Sequence, residues 1–132
     1  MSSNRLSLVT PPDDVLTDSF RILSVGVNQE ATALMSSALT RLPSIPETVL
    51  YVWQSGNDLE WLFDKKNKSN LIVFDPSSIS PELVGYFSAQ LNSYYFGSLR
   101  DLGIINNNSI LDADQFYNIL ENYIITYEKS IR

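Results

Sequence analysis

The sequence predicts an α/β domain with a mostly parallel central sheet and helices on both faces. Three observations predict it. Short apolar runs rich in β-branched and aromatic residues alternate with longer stretches whose apolar residues recur every three or four positions. The runs FRILSVGV (20–27) and NLIVF (70–74) are nearly continuous in apolar residues, as strands are when both faces of a sheet are covered. The stretches between the runs carry helix-start signals at Asn28, Ser80-Pro81 and Asp112.

Residues 1–19 read as an N-terminal arm in which Leu6-Ser7-Leu8-Val9 can pair as a short strand until Pro11-Pro12-Asp13-Asp14 breaks it. The α/β domain then occupies 20–132. After the strand at 20–27, Asn28 caps a helix whose apolar stripe is Ala31, Leu34, Met35, Ala38, Leu39 and Leu42, and Pro43 and Pro46 end it. TVLYVW (48–53) is the next strand. Asn57 and Glu60 have the spacing of a capping box and open a short helix bearing Leu59, Leu62 and Phe63. NLIVF ends at Asp75. Ser80 and Pro81 start a third helix, expected to bury Leu83, Val84, Phe87 and Leu91. SYYFG (93–97) is a fourth strand and GIIN (103–106) a candidate fifth. Asp112 with Gln115 caps a last helix with the stripe Phe116, Ile119, Leu120, Tyr123 and Ile124.

Composition narrows the function. The chain is 44% hydrophobic and 18% charged, the balance of a globular protein rather than a disordered one. It has neither cysteine nor histidine, which removes thiolate chemistry and the commonest general base and transition-metal ligand. No cofactor-binding motif is present: VGVNQE has neither a G-x-G-x-x-G pattern nor a P-loop lysine, so Gly26 reads as a turn glycine. Nine basic residues against fifteen acidic ones give a net charge of −6, and the one basic cluster, Lys65, Lys66 and Lys68, sits at a helix end where cations complement the dipole. A phosphate backbone needs a basic face, so direct nucleic-acid binding is not expected. No run is long enough to span a membrane and no signal-peptide layout opens the chain, so a cytoplasmic protein is the expectation.

In a parallel α/β fold, sites gather at the carboxyl ends of the strands. There the chain resembles the receiver domain of response regulators, over residues 20–98. RILSVGVNQEATALMSSAL is similar to that family's opening strand and first helix, and VLYVWQSGNDLEWLFDKKNKSNLIVFDP to its second and third strands with the helix between. The resemblance implies a flavodoxin-like three-layer sandwich and puts Asp75 at the phospho-acceptor position. It also implies an acid pair after the first strand to hold Mg²⁺ against the transferring phosphoryl group. Gly26 and Val27 stand there instead, with Glu30 a turn further on. The family's lysine after the fifth strand has no counterpart, because no lysine lies between Lys68 and Lys129. Ser98 stands where the family's switching hydroxyl belongs. The stretch from Ser98 to Gly103 is shorter than the roughly twelve residues of a parallel crossover, so the fourth helix is expected to be shortened or missing, or the last strand to run antiparallel.

These departures make Asp75 a capping acid that accepts N–H bonds from Ser77 or Ser78 in an Asx-turn. The function they imply is a pseudo-receiver without enzymatic activity, a regulatory or assembly factor that docks on a protein with a basic face or self-associates. Ser98, Arg100, Asp101, Asn107, Tyr117 and Tyr127, beside the remodelled segment, are the candidate interaction surface. Two other expectations stand beside this one. One is a phosphorylatable or ligand-sensing receiver that uses Asp75 with an unorthodox cation site. The other, from the Asn/Ser/Ile/Tyr-rich composition, is a phage or viral accessory protein.

Overall fold

The computed structural model describes residues 6–13, 19–42, 47–96, 109–110 and 112–130. Six strands form one sheet: β1 (Leu6–Val9), β2 (Phe20–Val25), β3 (Thr48–Trp53), β4 (Leu71–Phe74), β5 (Ser93–Phe96) and β6 (Ser109–Ile110). The order across the sheet is β1-β3-β2-β4-β5-β6, and every neighbouring pair is parallel. Without β1, the order is that of the flavodoxin-like doubly wound sheet. The four helices are α1 (Gln29–Thr40), α2 (Leu59–Lys68), α3 (Pro81–Ser88) and α4 (Ala113–Ser130). The arm's predicted strand is therefore real, and as β1 it adds an edge beside β3.

Strand alternation divides the core between the two faces. Phe20 and Ile22 of β2 pack with Leu50, Leu71, Val73 and Ile110 against α1 and α4, through Met35, Leu39, Phe116 and Leu120. Leu23 and Val25 point the other way, with Tyr51, Ile72, Phe74 and Tyr95, against Leu62 of α2 and Val84 and Phe87 of α3. The result is a three-layer sandwich.

The helix starts follow the sequence signals with one correction. The Asn28 side chain accepts from the Ala31 N–H at 2.8 Å, Ser80 from Leu83, and Asp112 from Gln115 at 2.9 Å. At α2, however, Asp58 is the cap, accepting from Glu60, whereas the Asn57 carboxamide accepts from the Gln54 N–H within its own turn. The turn at 54–57, with Gly56 at φ +97°, takes Asn57 for itself.

One apolar stripe differs from expectation, at Leu91, and α2 buries an arc that its apolar residues alone do not mark. On α2, Trp61, Leu62 and Lys65 are buried, while Leu59 and Phe63 are exposed. The indole N–H of Trp61 donates to the Asp13 carbonyl at 2.7 Å, so the chain after β1 covers that flank and turns the buried arc away from Phe63. Lys65 is enclosed with its ammonium over the Tyr51 and Trp61 rings, 5.4 and 5.6 Å from their centroids, and 3.0 Å from Asp64. Hydrogen bonds from Lys65 and then Lys68 hold the Asp64 carboxyl below its ordinary range. Leu91 is 96% exposed, because α3 ends at Ser88 and the following turn takes Leu91 off the helical stripe.

The last strand resolves the crossover problem. It lies at Ser109–Ile110, parallel to β5, rather than running antiparallel. That leaves residues 97–108 for the connection, roughly the dozen that a parallel crossover needs. The predicted strand at 103–106 and the shortened fourth helix fall in this segment, outside the described residues.

On the opposite side of the sheet from α2, Tyr123 of α4 meets Tyr94 of β5 edge to face, with centroids 6.0 Å apart and hydroxyls at 3.5 Å. Burial, reinforced by the Tyr94 hydrogen bond, raises the Tyr123 phenol far above its ordinary range. The folded state therefore keeps a proton that the unfolded chain releases above pH ~10, and stability falls as pH rises past that point. Urea denaturation at pH 8 and at about pH 10.5 is expected to show this loss, and Tyr123→Phe to reduce it.

Candidate functional site

The carboxyl ends of β2, β3 and β4 meet at one edge of the sheet, where the sequence places Asp75. The Asp75 N–H donates to the Val25 carbonyl at 3.0 Å, which continues the β2–β4 ladder one residue past the strand. Its side chain then turns onto its own loop. Oδ1 accepts from the Ser77 N–H at 2.9 Å and the Ser77 hydroxyl at 2.7 Å, and Oδ2 accepts from the Ser78 hydroxyl at 3.1 Å. The Ser77 N–H bond is the expected Asx-turn. Three donors from the two following serines occupy the carboxylate, so its oxygens work as loop fasteners.

Across from it, Gly26 leaves β2 in the left-handed region at φ +69°, with its N–H donating to the Trp53 carbonyl at 2.8 Å. A Cβ at Gly26 would lie 2.7 Å from Cγ2 of Ile79 and 3.3 Å from Cβ of Ser78. Ile79, itself buried at 9% exposure, thus sits directly on the Gly26 backbone. Two more bonds join the loops: the Gln54 amide donates to the Val27 carbonyl at 3.0 Å, and the Ser55 hydroxyl to the Ser78 carbonyl at 3.5 Å. The positions that the receiver resemblance assigns to an acid pair hold a glycine under an isoleucine and a buried valine.

Glu30, the nearest later acid, is exposed in the first turn of α1. Among the described residues, no group of three or more His, Cys, Asp or Glu side chains is gathered to hold a metal ion.

No protein-family model and no curated protein matches this chain.

Of the predicted interaction residues, Ser98, Arg100, Asp101 and Asn107 lie outside the described residues. Tyr117 and Tyr127 are both on α4 and half-buried. The Tyr117 ring lies under the Arg41 guanidinium, 4.6 Å from its centroid, and Tyr127 meets Phe20 edge to face at 5.6 Å. Both therefore make contacts within the domain, and the structure does not bring them to Asp75. Sequence reasoning missed Ile79. The available signal was that it is the lone apolar residue in DPSSIS, a loop with no other reason to carry one. Among the described residues no helix is long and apolar enough to cross a membrane.

Proposed function

We propose that this chain is a non-enzymatic protein–protein interaction module: a receiver-like scaffold that acts as a regulatory or assembly factor by docking. One observation carries the reading. Ile79 rests on Gly26 where the receiver resemblance expects a cation-holding acid pair, while Ser77 and Ser78 occupy both oxygens of Asp75. A phosphoryl group on Asp75 would carry added negative charge that needs cationic partners close by. The neighbouring loops offer amides, hydroxyls and an isoleucine. What remains is an α/β frame with its loops joined at the carboxyl edge, suited to presenting a surface.

The test is phosphotransfer itself. After incubation with acetyl phosphate and Mg²⁺, intact-mass spectrometry is expected to show no phosphoryl adduct. A hydroxylamine-sensitive adduct that disappears in Asp75→Asn would overturn the proposal in favour of a working receiver.

A further inference from the structure

The sheet ends on β1, whose outer edge has no neighbouring strand among the described residues. Along any strand, alternate residues aim their N–H and C=O groups at opposite edges. β3 holds β1 in an unbroken parallel register from Leu6 to Val9, so every other residue of β1 points its backbone groups outward. The described chain beyond Val9 turns away from them. Asp13 donates its N–H to the Thr10 carbonyl at 2.9 Å, and its own carbonyl accepts from the Trp61 indole on the α2 side of the sheet.

Native sheets usually block an open edge with charge, proline or a bulge. From Leu6 to Thr10 the sequence LSLVT carries no charge and no proline, and its register with β3 has no bulge. Pro11 and Pro12 stand just past that stretch, where they limit its length without interrupting it. The side chains add a second mark. Val9 is buried on the α2 side, whereas Leu8, level with Leu50 on the α1 side, is 60% exposed.

Such an edge takes one class of occupant, an extended strand, whose donors and acceptors come at the same spacing. A second β1 supplies one. Two copies of a strand pair antiparallel about a two-fold axis perpendicular to the sheet, and each face then continues into the same face of the partner. That condition allows only registers in which some residue meets its own counterpart across the axis. Leu8 is the midpoint of the uncharged stretch. With the axis there, the two exposed leucines lie directly opposite, Ser7 meets Val9 and Leu6 meets Thr10. An axis at Val9 would instead set Pro11, which has no N–H, opposite Ser7.

We infer that β1 is the docking edge for a second copy of this chain, joining two six-stranded sheets into one across a two-fold axis at Leu8. The inference rests on the reading of the domain as an interaction module and names its surface. Each copy carries a net charge of −6, none of it on the paired stretch. At about 0.15 M salt the repulsion between copies is screened beyond roughly 8 Å.

Sedimentation equilibrium of the full chain, from micromolar to several hundred micromolar at that salt, is expected to show a monomer–dimer equilibrium. Leu8→Lys sets two like charges directly opposite and is expected to weaken it at least about tenfold, with circular dichroism unchanged. The chain has no cysteine, so single cysteines report the register. Under mild oxidation Leu8→Cys is expected to give a disulfide-linked dimer, because opposed residues lie within disulfide reach. Ser7→Cys, at the exposed neighbouring position, is expected to stay largely unlinked. A wild-type chain that stays monomeric at the highest concentration overturns the inference. So does a dimer that Leu8→Lys does not weaken, or one in which Ser7→Cys links as readily as Leu8→Cys. Each of these leaves docking on a different protein standing, whereas an Asp75 adduct overturns the module reading without touching this measurement.

Discussion

Gly26→Ala is expected to destabilise the fold by about 2–5 kcal/mol, although it adds a single methyl group. Two costs combine. At φ +69° an L side chain is strained by roughly 1–2 kcal/mol. The new Cβ would also lie 2.7 Å from Cγ2 of Ile79, and relieving such overpacking in a closed site costs about 1–3 kcal/mol. Against a typical domain stability of about 5–15 kcal/mol, the upper end of that range removes the whole margin of a domain at the lower limit. Removing the opposing side chain separates the costs. Ile79→Ala alone is expected to cost about 2–4 kcal/mol as a cavity. In the double variant the steric cost disappears and the backbone strain remains, so the two changes should couple favourably by about 1 kcal/mol or more. Denaturant midpoints at a constant slope measure all three. Strict additivity would mean that Ile79 yields freely and does not close the loop edge.

Phe74→Ala is expected to cost about 3–5 kcal/mol, whereas Phe63→Ala should cost about 1–2 kcal/mol. The residue type is the same and the surroundings decide the difference. Phe74 closes β4 with no exposed surface, and its ring packs on Phe87 of α3 at 6.1 Å and Tyr95 of β5 at 5.8 Å. Truncation there opens a cavity that the sheet on one side and α3 on the other cannot collapse to fill. Phe63 is partly exposed, and its ring meets that of Tyr86 edge to face at 5.2 Å. Thermal or urea denaturation of the two variants side by side gives the comparison.

The strands and their faces were legible in the amino-acid order because buried parallel strands require apolar residues on both sides. FRILSV, TVLYVW and LIVF became β2, β3 and β4 with little change of bounds. The caps at Asn28, Ser80 and Asp112 were legible for a comparable reason, since a side chain and an N–H three residues on are local partners. Asn57 shows where that locality fails: two adjacent residues could each cap α2, and the 54–57 turn claimed one of them. The candidate site divides in the same way. Asp75 with Ser77 and Ser78 is a contact within one loop, so it was readable. Ile79 on Gly26 joins residues more than fifty positions apart, and no local pattern encodes such a meeting.

By itself, then, the sequence determined the α/β class, the order of strands and helices, the turn at Gly26 and the local bonding of Asp75, all through interactions between residues near in the chain. The tertiary structure alone decided which arc of α2 is buried. The sequence marked Leu59, Leu62 and Phe63 as the apolar residues of this helix, but Trp61, Leu62 and Lys65 are the buried ones, with the Trp61 indole bonded to the chain after β1. Helical spacing says which residues share a face. What covers that face depends on which distant segment packs against it, and here that choice left Phe63 and Tyr86 facing water.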